Sequence, residues 1–291
     1  MEASLLILAA GMGSRYGGLK QIDNLGPGGE ALMEYAIFDA KQAGFQRVVI
    51  VTRPEIAPLI KTKLASAEKE VELVYAYQRM RRGHRKPPGT AHALLSAREQ
   101  LGSDPFVLLN ADDFYGCRAM THMADFLRSK PPENSGAMLG YRLEETLSAH
   151  GSVSRGICEV NAQSELLHIA ERKEIYREGE QIVCRLEEGK IARLSKDAIV
   201  SMNIWCFHPA IFPELERGFS SFLRKARREA EYHLPLFVNE LLKRDRLRIS
   251  VLPEGGEWLG VTYRSDRKRV RSALLRKAHE GIYPHPLFTH F

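Results

Sequence analysis

Leu6-Ile7-Leu8-Ala9-Ala10-Gly11-Met12-Gly13-Ser14-Arg15-Tyr16-Gly17-Gly18-Leu19-Lys20-Gln21 is an apolar strand that runs into a small-residue loop carrying two cations. Glycine at 11, 13, 17 and 18 lets backbone N–H groups approach an anion closely. Arg15 offers a planar fork for phosphate oxygens, and Lys20 offers a movable point charge. A buried strand that delivers such a loop implies a polyphosphate site at the carboxyl edge of an α/β sheet. Two familiar phosphate loops are excluded. A P-loop requires its lysine directly after glycine and before serine or threonine, whereas Lys20 stands between Leu19 and Gln21. The dinucleotide fingerprint would need glycine at 16, where the chain has Tyr16.

Outward from this loop, apolar runs alternate with helical patterns. Strands are expected at Leu5–Ala9, Arg47–Thr52, Val71–Tyr77 and Pro105–Asn110. Helices are expected at Glu30–Ala43, over 55–67 and at Ala91–Gln100, with Gly44 closing the first and Pro54 in the first turn of the second. Such alternation implies a mostly parallel sheet with helices on both faces. From about 135 the pattern shortens: Ala137–Leu143, Gly156–Val160, Leu166–Glu171 and Gln181–Leu186 suggest an antiparallel insertion, and Ala198–Phe207 a return to the main sheet. Helices follow near 210–217, 219–230, 235–243 and 265–279, with strands near 247–252 and 257–262. The expectation is two parts sharing one sheet, 1–135 and 136–291.

At 291 residues the chain can bury a sizeable core, and 44% hydrophobic with 27% charged residues suits a globular protein in water. The apolar run Leu5–Ala10 is too short for a membrane span and has no basic flank, so it does not read as a signal peptide. Four scattered cysteines without a Cys-x-x-Cys pair read as reduced thiols, and the expected location is cytoplasmic. The net charge of +6 gathers at Arg224–Arg228 and Arg264–Lys277. Neither cluster interleaves aromatics, so both read as solvated helix faces and no nucleic-acid partner is expected.

A second strong feature is Phe106-Val107-Leu108-Leu109-Asn110-Ala111-Asp112-Asp113, a buried strand ending in two aspartates at the same sheet edge as the glycine loop. Mg²⁺ prefers one or two carboxylates together with substrate phosphates and water. A third is Lys86-Pro87-Pro88-Gly89-Thr90-Ala91, where Thr90 reads as a helix N-cap and Gly89 lets the backbone approach a flat ligand.

Together these segments resemble the nucleotidyltransferases that make nucleotide-diphosphate sugars and related compounds. Leu8-Ala9-Ala10-Gly11-Met12-Gly13-Ser14-Arg15 with Lys20 matches that family's signature loop, Gly89-Thr90-Ala91 its base-recognition turn and Asp112 its metal aspartate. Arg155–Val160 and Ile169–Arg172 look like its sugar-lobe hairpin, with Glu171 where a sugar-contacting glutamate sits, and Asn203 lies where an asparagine commonly meets sugar hydroxyls. The resemblance implies a Rossmann-like nucleotide-diphospho-sugar transferase fold with a smaller β-rich acceptor lobe. It also implies Mg²⁺ as cofactor, a nucleoside triphosphate and a sugar phosphate as partners, and an oligomer as possible. Within it, Arg15 and Lys20 are the catalytic cations. Leu8 to Ser14, Gly89 and Thr90 hold the nucleotide, and Glu171, Asn203 and Lys86 receive the acceptor.

One departure stands out. Relatives of this kind draw a second metal-binding aspartate or asparagine from a late strand, but Glu257-Trp258-Leu259-Gly260-Val261-Thr262-Tyr263 has no carboxylate at Gly260, Thr262 or Tyr263. Asp266 is expected to substitute, ahead of Asp113 or of water completing the metal shell. His84, His92 and His233 are not needed as general bases, because a phosphomonoester with a second pKa of about 6 is already a dianion near neutrality. The alternatives are a cytidylyltransferase for a non-sugar phosphate such as phosphocholine, a glycosyltransferase, and a non-catalytic nucleotide- or sugar-sensing protein on the same fold. A glycosyltransferase would have no use for a pyrophosphate-gripping Arg15/Lys20 loop.

Overall fold

Alternate residues of β1 (Ser4–Leu8) enter opposite halves of the core, Leu5 and Ile7 on one side and Leu6 and Leu8 on the other. Only a strand covered on both faces can bury every side chain, and all five residues are buried. The computed structural model describes residues 2–13, 16–80, 86–186, 189–225 and 230–288.

Three further strands, β2 (Arg47–Thr52), β3 (Glu72–Tyr77) and β4 (Phe106–Asn110), run parallel to β1 in the order β3-β2-β1-β4. The connecting helices are α1 (Leu32–Gln42), α2 (Ala57–Lys63), α3 (Thr90–Leu95) and α4 (Arg98–Leu101). Next come β5 (Asp113–Phe114), α5 (Ala119–Arg128), β6 (Ser135–Arg142), β7 (Val153–Val160), β8 (Leu166–Glu178), β9 (Gln181–Arg185), β10 (Ile191–Leu194) and β11 (Ile199–Phe207). Last are α6 (Phe212–Lys225), α7 (Leu234–Leu242), β12 (Arg248–Leu252), β13 (Leu259–Gly260) and α8 (Asp266–His279). β11 pairs antiparallel with β4 and joins the parallel strands to an antiparallel run β11-β7-β8-β9-β10, with β6 and β12 attached beside β11. β5 and β13 form a separate two-stranded ladder.

One face of the sheet carries α1, α5 and α8, through residues such as Met33, Ile37, Met123 and Leu274. The other carries α3, α6 and α7, through Leu94, Phe212, Leu215 and Phe237. Each fully buried aliphatic or aromatic side chain contributes roughly 1.5–3 kcal/mol. Gly44 ends α1 with φ +97°, as its position predicts. The segment 281–288 docks on its own chain: the Tyr283 ring packs edge-on against Tyr35 at 5.0 Å and its hydroxyl donates to Asp39 Oδ2 at 2.9 Å. No described helix is long and apolar enough to cross a membrane. All four cysteines are unpaired, and burial pushes the Cys158 thiol up to about 12.

Several expected boundaries move. The stretch expected as one helix at Ala91–Gln100 breaks into α3 and α4. Two expected helices near 210–230 are one, α6, which runs straight through Gly218; a Cβ there would come 2.6 Å from the Tyr232 hydroxyl. Residues 226–229, part of the expected second helix and of the first basic cluster, lie outside the described residues. Pro54 precedes α2, and Pro58 takes the first-turn place instead. α5 has no counterpart in the sequence reading, because its buried stripe is built from Ala119, Met120, Met123 and Ala124 rather than from larger aliphatic residues.

Candidate functional site

The loop after β1 starts where Ala9 N–H bonds the Val51 carbonyl and Ala111 N–H bonds the Leu8 carbonyl, so the first and fourth strands end together. Beyond that edge lies a cavity of about 540 Å³ lined by Leu8, Ala10, Gly11, Met12 and Gly13, and closed by Gly89, Thr90 and Lys86. Ala9 is fully buried and points into the core instead. Ser14 and Arg15 lie outside the described residues, as does His84. A second cavity of about 280 Å³ lies alongside, lined by Arg155, Gly156, Glu171, Asn203, Asp113 and Trp258. Lys20, Thr90, Asn110, Asp112, His233 and Thr262 line both. The Lys20 ammonium is ion-paired with Asp112 Oδ2 at this junction.

The glycine at 89 has a visible cause. Gly89 has φ +102°, and a Cβ there would lie 2.5 Å from the Tyr232 carbonyl oxygen and 2.7 Å from its nitrogen. Tyr232 N–H bonds the Pro88 carbonyl, and its own carbonyl accepts from Ala91 N–H. Thr90 does not cap its own helix: Gly89 holds that position, and Thr90 Oγ1 accepts from Leu234 N at 2.8 Å, capping α7. Gly89→Ala is expected to cost roughly 2–3 kcal/mol of stability through strain and overlap. Urea denaturation checks this, and an unchanged midpoint would contradict the close approach to Tyr232.

Behind the aspartate turn runs a chain of hydrogen bonds. Trp205 Nε1 donates to Asn203 Oδ1 at 3.0 Å, Asn203 Nδ2 to Asn110 Oδ1 at 2.7 Å, and Asn110 Nδ2 to Asp113 Oδ2 at 2.9 Å. Asn203 sits at φ +63° where the pairing of β11 with β6 shifts register between Ser201 and Trp205. That bulge turns its side chain to the sheet edge. Burial first, and the adjacent Asp112 charge second, push the Asp113 carboxyl up to about 7. The Arg155 guanidinium is buried, bonds Thr146 Oγ1 at 3.1 Å and lies 5.1 Å from the Trp258 ring centre.

One expected assignment is corrected. Asp266 lines neither cavity: its Oδ2 accepts from Thr262 N at 3.0 Å and Tyr263 N at 2.8 Å, and its Oδ1 from Ser148 Oγ at 2.9 Å. Both oxygens are spent holding the start of α8. Lys86, expected with the acceptor, lines the larger cavity, 4.0 Å from Glu231. At one of the expected late-strand ligand positions, Gly260 lies opposite Asp113, and a Cβ there would come 2.3 Å from the Trp258 ring and 2.7 Å from Asp113 Oδ1. The Trp258 ring and Asp113 already fill that space.

Sequence reasoning missed Gln21 and Gln78. Gln21 is buried, its Nε2 donates to the Gly11 carbonyl at 2.5 Å, and its Oε1 has no partner among the described residues. Gln78 Nε2 donates to the Gly89 carbonyl at 2.9 Å. Both line the larger cavity, but an isolated glutamine carries no signal until its neighbours are known.

Among the described residues no three His, Cys, Asp or Glu side chains cluster as a ready metal cage. One or two hard carboxylate oxygens at Asp112 and Asp113 nevertheless suit Mg²⁺, which takes its remaining ligands from phosphate and water.

The parallel-strand edge of this α/β fold thus carries a glycine loop, an aspartate turn and two joined cavities. Residues 4–258 match the model of the nucleotidyl transferase family, and the chain belongs to that family of nucleotidyltransferase enzymes. Among solved structures it is similar to a Bacillus anthracis protein assigned as a glucose-1-phosphate thymidylyltransferase, in complex with sucrose. That match has 18% identity and a TM-score of 0.63, over 94% of this chain and 95% of the other. It is also similar to a UDP-glucose pyrophosphorylase complexed with UDP-glucose, at 16% identity and a TM-score of 0.62, over 95% of this chain and all of the other. Both likenesses establish the Rossmann-like fold. No curated protein sequence matches the chain.

Proposed function

We propose that the enzyme transfers a nucleoside monophosphate from a nucleoside triphosphate to a sugar 1-phosphate, giving a nucleotide-diphosphate sugar. The observation that supports this best is the meeting of two cavities at Lys20 and Asp112. The nucleotide lies in the larger one, with its base against Gly89 and its phosphates over Gly11 to Gly13, and residues 1–135 form most of this part. The acceptor occupies the smaller one, beside Glu171 and Asn203, and residues 136–291 form most of its walls.

An oxygen of the acceptor phosphate attacks the α-phosphorus in line. The bond from that phosphorus to the bridging oxygen breaks, and pyrophosphate leaves with the bonding electrons. Loop amides and Arg15 stabilise the departing phosphates, while Lys20 moves between the α-phosphate and the acceptor phosphate. Preorganised donors of this kind, rather than a general base, relieve the charge repulsion of phosphoryl transfer. Asp112, backed by Asp113, would hold Mg²⁺, which neutralises phosphate charge when bound.

A quaternary ammonium such as choline favours an open aromatic face. One face of Trp258, the aromatic ring of the acceptor cavity, is already covered by Arg155, which favours a hydroxyl-bearing acceptor. The test is pyrophosphate release across nucleoside triphosphates paired with sugar phosphates and with phosphocholine. Release with a sugar 1-phosphate supports the reading. Wild-type rates equal to those of Asp112→Ala for every pair would overturn it.

A further inference from the structure

Trp205 is fully buried and lines neither cavity, yet side chains connect it to the acceptor cavity. Its ring stacks on Phe207, with centres 5.9 Å apart and planes 12° from parallel. The indole nitrogen can only donate, so the Asn203 atom that faces it at 3.0 Å is the carbonyl oxygen. The amide nitrogen of Asn203 therefore faces Asn110, whose oxygen accepts at 2.7 Å, and the Asn110 nitrogen faces Asp113 Oδ2 at 2.9 Å. A donor-only indole at one end and a carboxyl oxygen at the other leave both amides a single sense. Flipping either amide would set like atoms against each other at both of its contacts.

The backbone is bent where this relay forms. Asn203 holds φ +63° in the bulge between Ser201 and Trp205, and its N–H donates to Ser201 Oγ at 3.2 Å. Asparagine tolerates this left-handed region better than most residues with a side chain, so the position keeps both the bend and the amide. An amide has two N–H groups and two carbonyl lone pairs. Asn203 uses one of each on Asn110 and Trp205, which leaves one N–H and one lone pair in a residue that lines the smaller cavity. Groups already held in place spare a ligand the entropy of ordering them, and that raises affinity.

We propose that Trp205 is a positioning residue for the acceptor: its indole N–H, with Asn110 as the brace on the opposite side, fixes the Asn203 amide that meets the sugar phosphate. Trp205 itself touches no substrate. It acts from inside the core, through one hydrogen bond, on the side chain that reads acceptor hydroxyls. The inference rests on the acceptor reading of the smaller cavity, and its test tells the two apart.

The chain has two tryptophans, Trp205 and Trp258, so its ¹H–¹⁵N spectrum holds two indole signals, and the one lost in Trp205→Phe belongs to Trp205. Glucose 1-phosphate titrated into the full-length wild type is expected to move that signal, although the indole lies outside both cavities. In Asn203→Gly the same titration should leave it still. Glycine suits the backbone at 203, so this variant cuts the relay and keeps the fold. Calorimetry supplies the second readout. Losing one hydrogen bond shifts an equilibrium by roughly threefold to tenfold, and Trp205→Phe should weaken glucose 1-phosphate binding by about that factor. The Asn203→Gly/Trp205→Phe double variant should bind no more weakly than Asn203→Gly alone, because Trp205 acts only through Asn203. A purely structural Trp205 would instead give additive losses. Additive losses, wild-type affinity in Trp205→Phe, or a Trp205 signal that stays still throughout the wild-type titration would each overturn the proposal. If the signal moves as expected but no nucleoside triphosphate yields product, the transfer reading fails and the relay stands. Pyrophosphate release by an enzyme whose Trp205 signal never moves does the reverse.

Discussion

Asp112→Ala will lower kcat for nucleotidyl transfer by roughly 10³, the upper range for removing one preorganised electrostatic group from a reacting centre. Among the described residues Asp112 is the one carboxylate that lines both cavities, and in the proposed reaction the acceptor phosphate and the α-phosphorus meet there. Two polyanions approach each other there, so the barrier is set largely by uncompensated charge. The fold should tolerate the change. The Asp112 side chain is 19% exposed, and its pair with Lys20 is the partly hydrated kind worth about 0–1 kcal/mol. Thermal denaturation should thus shift by only a degree or two while turnover collapses. Asp112→Asn keeps the shape and loses the charge, and should fall nearly as far. A turnover within tenfold of wild type in either variant would remove Asp112 from the reaction centre.

What the residues disclose in advance follows from the range of the interactions involved. The glycine loop, the four parallel strands and the aspartate turn are local patterns, and neighbouring residues fix them: an apolar run in β1, glycine at positive φ, a strand ending in acids. Asp266 shows the opposite case. It has the right chemistry and lies close in sequence to the late strand, but three hydrogen bonds from Thr262, Tyr263 and Ser148 turn its carboxylate into the anchor of α8. Its neighbours, not its type, decide its role. Thr90 is similar: its capping chemistry is legible, but the helix it caps is α7, far away in sequence. Gln21, Gln78 and Arg155 became visible only once the sheet had gathered them at one edge. The spacing around Lys86 puts it near an anion, but only the folded chain places it on the larger cavity.

Lys20→Ala is the second large effect, and it should have a different signature. Lys20 lines both cavities, and its ammonium already neutralises Asp112. Removing it takes a point charge away from both phosphates and leaves the aspartate repelling them. The expected loss is roughly 10²–10³ in kcat/KM. Because the ammonium serves both substrates, the KM for the nucleotide and the KM for the acceptor should rise together, with kcat falling as well. Arginine at 20 should not rescue, since a planar fork cannot occupy the compact space between Asp112 and two phosphates as an ammonium does. Lys20 and Asp112 are in contact, so their double variant should lose less than the product of the single losses, by a coupling of about 0.5–3 kcal/mol. Bisubstrate steady-state kinetics on the four proteins of that cycle measure this directly. A Lys20→Ala enzyme with a raised nucleotide KM, an unchanged acceptor KM and a strictly additive cycle would confine Lys20 to the nucleotide cavity, and the shared junction could not be where transfer occurs.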